Sequence, residues 1–495
     1  MNNVLTIAPL LLPMLSGVLL LSIKQNIKLS TAVYLVSSIL QFIVSSILLF
    51  TISESKFFVM HIGGWEAPFG ITIAIDIAGS IMLVAGSFVS LAVALFAVNT
   101  VEPRRLQFGF YGLTQFLILG VNGAFITGDI FNLFVWFEVM LISSFVLLSL
   151  GAGKEQLEGT IKYVLLNLVS SAFFLMGVGI LYSATGSLNF AKIASVAILN
   201  PDNSLLTLST AFFIFSFGMK AAIFPVFFWL PSSYHTPPIV VTALFSGLLT
   251  KVGVFSLIRL FTYVLPTQQQ EFSFLLKVLA GFTMVIGVLG AIAQNDVRRL
   301  LSFHIISQIG YMIMGIAIGT AASFAATIFY IVHNMLAKTN LFFAAGIQNQ
   351  ILGTYNLKKS GGLYKTAPYL SLLFIISAFA LAGFPPLSGF PAKLTLISSG
   401  FSAGEYLISG VAIMVSFFTL FSMVKIWNEA YWKELIPERS AGSNTNKMMY
   451  LPVILMALAI IGTGVFFQPI YHLLMMAAHQ LSTPELYINA VLGEV

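Results

Sequence analysis

The chain has 495 residues, of which 58% are hydrophobic and 8% charged, with a formal net charge of +6 and no cysteine. An ordinary soluble domain is about 45–50% apolar and about 25% charged, so this composition excludes one. Without cysteine there are no disulfides and no cysteine-ligated iron–sulfur clusters, and the basic excess lies in short loops between apolar runs, where it sets topology and does not mark a nucleic-acid surface.

Apolar runs of about 18 or more residues recur from end to end, the mark of a polytopic helical membrane protein in a lipid bilayer. In chain order they predict about 14 spans, centred near residues 13, 40, 85, 116, 140, 172, 218, 250, 283, 310, 334, 384, 418 and 460. The first, MNNVLTIAPLLLPMLSGVLLLSI, lacks a basic leader and a small-residue cleavage site and reads as an uncleaved span. With the N-terminus outside, the inner loops carry Lys24, Lys28, Arg104, Arg105, Lys154, Arg298, Arg299, Lys358, Lys359, Lys365, Lys433, Arg439 and Lys447. The outer loops carry little beyond Lys56, Lys192 and Lys277, which satisfies the positive-inside rule. An even number of spans then returns the C-terminus to the outer side. The longest polar stretch, 433–448, reads as a loose or amphipathic loop.

Two spans carry prolines that should interrupt them. The seventh reads FGMKAAIFPVFFWLP, with Lys220 about one turn ahead of Pro225; the twelfth reads LAGFPPLSGFPAKLTLI, with Pro385, Pro386 and Pro391 ahead of Lys393. Proline removes a helical hydrogen bond, and such breaks survive at membrane depth only where protein or water satisfies the freed backbone. The two interrupted spans lie five spans apart. A repeat unit with an odd number of spans inverts in the membrane, and broken helices in corresponding halves point to a transport site.

Ionisable groups at membrane depth are costly and therefore informative. Glu138 lies within FNLFVWFEVMLISSFVLLSL, and Lys220, Lys251 and Lys393 lie in similarly apolar surroundings. Glu138 and Lys220 form the expected first pair, since opposite charges about 4 Å apart attract by about 4 kcal/mol at an effective dielectric near 20. A static ion pair that fixes helix packing is the plainer reading of both. Lys251, mid-span in the eighth helix, would receive a proton from Lys220 through water, or else snorkel to an interface. Lys393 would be the terminal donor or acceptor, or else a donor to carbonyls freed by the prolines. His333 and Lys338 are expected near one helical face of the eleventh span, where His333, like His304 in the tenth, suits either a relay or a packing hydrogen bond. His235 reads as a gate or a plain loop residue, Asp76 as a structural cap or ion-pair partner, and Asp129 as the N-cap of the fifth span. Deep carboxylates are too few to build an oxygen cage for a hard cation, so the core pathway reads as one for protons, with any sodium site unassigned.

The stretches WFEVMLISSFVLLS, MKAAIFPVFFWLPSSYHTPP, LLTKVGVFSLIRL, RRLLSFHIISQIGYM, HNMLAKTNLFFAAG and LAGFPPLSGFPAKL occur in this order from the fourth to the thirteenth span. Together they resemble the antiporter-like family shared by complex I membrane subunits and Mrp-type multisubunit Na+/H+ antiporters. Chain length and the wording WFEVMLISSF and LAGFPPLSGFPAK are most similar to the D-type members of the Mrp branch. The resemblance implies an all-α fold of 14 transmembrane helices with two inverted five-helix repeats, each holding a broken helix. It also implies proton translocation by Glu138, Lys220, Lys251 and Lys393, and work within a hetero-oligomeric complex with other membrane subunits.

The expected organisation is therefore three N-terminal helices (1–100), a first repeat (101–265), a second repeat (266–435), and a loop, last helix and tail (436–495). The expected function is proton translocation in a multisubunit cation/proton antiporter of a prokaryotic cell membrane: a secondary transporter subunit with no cofactor, moving H+ and, by resemblance, Na+. The rival readings are a proton-pumping subunit of a redox complex and a non-conducting scaffold.

Overall fold

The structure, a computed structural model, describes residues 2–55, 57–151, 153–434 and 446–493. Lys56, Arg439 and most of the 433–448 stretch lie outside these residues. Two long apolar helices, α1 (Asn2–Ser22) and α2 (Ile27–Ser55), lead into an antiparallel hairpin, β1 (Phe58–His61) and β2 (Thr72–Ile75), with Phe58 opposite Ile75 and His61 opposite Thr72. Then follow α3 (Ile77–Thr100), the short α4 (Pro103–Gln107), α5 (Phe110–Ile126), α6 (Ile130–Ser149), α7 (Lys154–Thr185) and α8 (Phe190–Leu199). The middle of the chain forms α9 (Ser204–Ala221), α10 (Trp229–Ser233), α11 (Ile239–Arg259), α12 (Gln269–Ala293), α13 (Val297–Ile318) and α14 (Ala321–Leu352). The remainder forms α15 (Leu363–Thr366), α16 (Pro368–Ala382), α17 (Gly389–Ser402), α18 (Tyr406–Ile426), α19 (Tyr450–Val465), α20 (Phe467–Ser482) and α21 (Pro484–Leu492).

Among the described residues, 11 helices are long and apolar enough to cross a membrane, and three shorter apolar helices, α5, α8 and α16, supplement them. Helix starts follow local chemistry. Asp76, Asp129, Asn189, Asn203, Asp296 and Thr320 each cap a helix by accepting backbone N–H bonds. Both caps expected at Asp76 and Asp129 are present.

Burial separates the helices into a rim and a centre. The spans built on α11 and α13 are 94% and 89% buried, against 39% for α1 and for α7. Rim side chains such as Val18, Phe50, Leu165 and Phe417 are exposed, as lipid-facing apolar groups are. The basic loops lie on the face opposite the hairpin: Lys433 reaches Lys358 O, Arg105 donates to Leu150 O, and Asn446 meets Asn99 there.

Both predicted interruptions are present. α9 ends at Ala221, with Ala222 left-handed, and the chain resumes as α10 after Pro225. α16 ends at Ala382, with Gly383 left-handed at φ 98°, where glycine avoids the Cβ clash, and α17 begins at Gly389. Pro391 is tolerated inside α17 because the first turn has no N–H bond to lose. A third interruption differs from the expectation of one simple last span near 460. α19 stops at Val465, and α20 continues toward the hairpin face, where Gln480 Oε1 accepts from Ile77 N at 3.1 Å. Ile460 O also accepts from Ser388 N at 3.2 Å, so this helix supports the break between α16 and α17.

A single displacement along the chain relates helix bounds in its two halves. It carries Ile126 to Ala293, Asp129 to Asp296, Ile130 to Val297, Lys154 to Ala321, Thr185 to Leu352, Ile239 to Tyr406 and Arg259 to Ile426. Asp129 bridges Asn189 in antiparallel fashion, and at the same displacement Asp296 bridges Asn356. The correspondence slips around the two breaks and in places elsewhere, as where α12 begins at Gln269, well before the counterpart of Phe110.

Candidate functional site

Glu138, partly buried on α6, does not form the direct ion pair with Lys220 expected from sequence: no Glu138–Lys220 contact within 4.0 Å is present. Ser171 of α7 stands between them. Its hydroxyl donates to Glu138 Oε1 at 2.5 Å and accepts from Lys220 Nζ at 3.5 Å. The Lys220 ammonium also lies 4.8 Å from the centre of the Phe137 ring, a cation–π contact that partly offsets its removal from water.

Lys251 lies at the centre of the molecule on α11, fully buried, and donates to Ser246 O of its own helix. Gly253, half a turn on, lets α11 approach α9 closely: a Cβ there would stand 2.8 Å from Ala221 N and 3.0 Å from Phe217 O. The backbone of α11 thus packs tightly against α9 at Phe217 and Ala221, next to Lys220. Lys338 of α14, also fully buried, donates to Leu301 O of α13 at 3.3 Å and lies within electrostatic reach of Lys251.

His333 and Lys338 do not share a helical face. Five residues turn an α-helix through about 140° beyond one full turn, so the two side chains diverge. His333 Nδ1 meets Ser388 Oγ at 2.8 Å, in the break between α16 and α17, whereas Lys338 points to α13. His304 Nε2 lies 2.7 Å from Ser422 Oγ of α18. Lys393 reaches back across the break to donate to Ala382 O at 3.1 Å, and its ammonium lies 5.2 Å from the centre of the Tyr311 ring. Tyr311 stacks on Tyr330, whose hydroxyl donates to Gln308 Oε1 at 2.6 Å.

Glu138 on α6, linked to Lys220 on α9 through Ser171, and the buried Lys251, Lys338 and Lys393 on α11, α14 and α17 thus form a set of ionisable side chains in the apolar interior. His235 stands apart from it. Its Nδ1 donates to Pro231 O at 2.9 Å on the basic face, and burial, followed by the charge of Arg299, holds its pKa below the usual histidine value. No group of three or more His, Asp or Glu that could hold a metal ion occurs among the described residues.

Sequence reasoning missed two participants. Ser171 carries no sequence signal that separates it from other membrane serines. Arg259, visible in LLTKVGVFSLIRL, is the partner of Asp76: Nη1 and Nη2 donate to the two carboxylate oxygens at 2.6 and 2.5 Å, and Tyr263 adds a bond of 3.0 Å. Burial works to raise the Asp76 pKa, but the Arg259 charge and these bonds hold it below the ordinary carboxylate value. Asp129 has no such cation, and burial pushes its carboxyl up to about 6 against the bond from Asn132 N.

Residues 127–419 match the family described as NADH:quinone oxidoreductase/Mrp antiporter, TM. The chain is 42% identical, over 100% of both chains, to the D subunit of a Na(+)/H(+) antiporter from Alkalihalophilus pseudofirmus. Its fold superposes with a TM-score of 0.94 and 30% identity on a chain of the Mrp complex from Dietzia sp. DQ12-45-1b, covering 99% of each. A chain of the membrane-bound sulfane sulfur reductase, an archaeal respiratory membrane complex, matches at a TM-score of 0.90 and 27% identity, also over 99% of each. The profile takes in Glu138, both broken helices and the lysines between them, and with the end-to-end identity it establishes that the chain belongs to the NADH:quinone oxidoreductase/Mrp antiporter transmembrane family.

Proposed function

We infer that this chain is the proton-translocating subunit of a multisubunit Na+/H+ antiporter, working among other membrane subunits in the cytoplasmic membrane of a bacterium. The observation that carries the reading is the series of ionisable groups at membrane depth, Glu138 joined to Lys220 through Ser171 and then the buried Lys251, Lys338 and Lys393, which is read as one line. The 42% identical relative, itself named as part of a Na(+)/H(+) antiporter, supports the same assignment. His304 and His333 are the relay histidines along this line. His235, off the line, serves the loop and not the relay.

Water completes the path. Thr250 Oγ1, His304 Nδ1, Gln308 Nε2, His333 Nε2, Asn334 Oδ1 and Nδ2, and Asn340 Oδ1 are buried without a partner in the protein. Leaving such groups unsolvated costs roughly 1–3 kcal/mol each, so the centre favours ordered water between its helices. The corresponding helix bounds in the two halves support a reading as two inverted repeats, each with one break through which a hydrated half-channel would open. The basic face is cytoplasmic by the positive-inside rule, which puts both termini on the outer side.

The test is antiport in everted vesicles carrying the assembled complex. Glu138→Gln and Lys220→Ala each abolish antiport while leaving assembly intact; full antiport in either variant overturns the reading. Loss of assembly and transport together would favour a scaffold. The likeness to a respiratory reductase chain favours a second reading, a redox-driven pump. Native purification distinguishes the two, since a pump co-purifies with subunits that carry redox centres.

A further inference from the structure

We propose that Ser171 is a proton-relay residue, its hydroxyl being the link through which Lys220 and Glu138 exchange a proton. The proposal rests on the reading of Glu138 and Lys220 as transport groups and adds a third member that neither composition nor spacing singles out.

A serine in an apolar helix ordinarily turns its hydroxyl back onto a carbonyl three or four residues earlier. Ser143, Ser144 and Ser183 do so, bonding Val139 O, Leu141 O and Ile180 O. Ser171 instead meets two ionisable side chains on two other helices. A serine hydroxyl has one hydrogen and two lone pairs, and an ammonium has hydrogens only. The orientation is therefore determined: the Ser171 hydrogen goes to Glu138 Oε1, and an Nζ hydrogen of Lys220 goes to Ser171 Oγ.

The neighbouring residue holds this arrangement in place. Ser170 Oγ donates to Ser216 O and Ser216 Oγ donates to Ser170 O, both at 2.9 Å, a reciprocal clamp between α7 and α9 one turn from Lys220. The displacement that relates the two halves carries Ser171 onto Lys338, Asn167 onto Asn334 and Tyr163 onto Tyr330. The same station of α7 and α14 thus holds a group able to pass or carry a proton in both halves, and all six of these residues are buried.

The transfer balances without any further reactant. An Nζ–H bond of Lys220 breaks as a new Oγ–H bond forms on Ser171, and the original Oγ–H bond breaks as an O–H bond forms at Glu138 Oε1. An ammonium and a carboxylate become an amine and a carboxylic acid, and the hydroxyl is regenerated with its hydrogen exchanged. Both charges vanish together, which suits a site of low dielectric. The Glu138 acid then hands its proton on, or returns it when Lys220 is again to be charged.

The experiment uses the assembled complex in everted vesicles, with the amount of each subunit measured alongside antiport. Ser171→Ala lowers the antiport rate about tenfold or more at normal assembly, the low end of what a positioned proton-transfer group contributes. Ser171→Thr, which keeps the hydroxyl, retains at least about half the rate. In a Glu138→Gln background, Ser171→Ala adds less than about a twofold further change to whatever residual rate remains, because the acceptor is already gone. A Ser171→Ala rate within about twofold of the parent overturns the proposal, and so does a Ser171→Thr variant as slow as alanine. If alanine blocks assembly, Ser171→Cys keeps the volume with a weak donor: a clear loss of rate supports the relay, and the parental rate overturns it. Glu138→Gln and Lys220→Ala measured in parallel separate the two levels. If they lose antiport and Ser171→Ala does not, the relay alone falls; if they keep antiport, the underlying reading falls.

Discussion

The Asp76–Arg259 pair gives the sharpest test of how the hairpin face is held together. The carboxylate caps α3 through Gly79 N at 2.8 Å, receives both guanidinium nitrogens and accepts from Tyr263. Arg259 lies 4.6 Å from the Phe255 ring centre and 4.9 Å from that of Tyr263, and Tyr487 of α21 stacks on Tyr263 at 4.2 Å. Asp76→Asn keeps an oxygen for Gly79 but leaves a buried guanidinium without a counter-charge. Removing one member of a buried pair costs about 3–5 kcal/mol, mostly the penalty of the stranded charge. Asp76→Asn with Arg259→Met strands no charge and fills the slot between the two rings, so it recovers most of that loss. The assay is denaturant or thermal unfolding of the purified complex, followed through a reporter on this chain. A single variant within about 0.5 kcal/mol of the parent refutes the reasoning, as does a double variant no more stable than the worse single one.

Asp129 makes a prediction of opposite sign. Its buried carboxyl titrates at about 6 against 3.8 when free, so the folded state binds a proton more tightly than the unfolded chain. Stability from this residue is complete below the free value and falls as pH rises through about 6, by about 3 kcal/mol in all. Asp129→Asn preserves the cap on α6 and removes that loss; unfolding midpoints of variant and parent separate between about pH 4 and pH 6, stay apart above it and converge near pH 4, and parallel curves would contradict it. At Gly253, alanine forces a Cβ to 2.8 Å from the α9 backbone, so Gly253→Ala costs about 1–3 kcal/mol and lowers antiport by displacing α9 at Lys220. Parental stability and antiport in that variant would show that the close approach of the two helices is not needed.

What could be read from the sequence is what depends on local composition. Long apolar runs gave the spans, because a membrane helix must satisfy its own backbone and show an apolar surface. Prolines gave the two breaks around Pro225 and Pro385, and the scarcity of charge drew attention to Glu138 and the lysines. The hairpin at Phe58–Ile75 was missed because its strands are four residues each and lie between much stronger helical signals. The third break, between α19 and α20, had a signal in Pro469, obscured by the apolar run around it. The divergence of His333 from Lys338 follows from helical geometry alone and was within reach. Ser171 was not, because its significance is a matter of which helices meet at its hydroxyl.

The two halves share helix bounds but differ in charge, and the difference bears on how a proton would move between them. In the first, a carboxylate stands by the lysine of α9, joined by a hydroxyl, and the group can become neutral without exporting a proton. In the second, the position corresponding to Glu138 is Ile305, so no carboxylate faces Lys338, and the bonds at Lys338 and Lys393 run to carbonyls. Between them lies Lys251, with Ser246 O as its acceptor. Two unit charges about 10 Å apart at an effective dielectric of 20 repel by about 1.7 kcal/mol, more than a tenfold bias in occupancy. A proton on Lys251 therefore disfavours a charge on Lys338, and on the proposed reading a proton held there is pushed toward Lys393 and the second break. On the same reading Glu138 acts at the other end: while it is ionised it holds the proton on Lys220, and it takes that proton through Ser171 when Lys220 becomes neutral. On that reading a carboxylate at only one end of the lysines gives the path a direction, which a symmetric arrangement of charges would not.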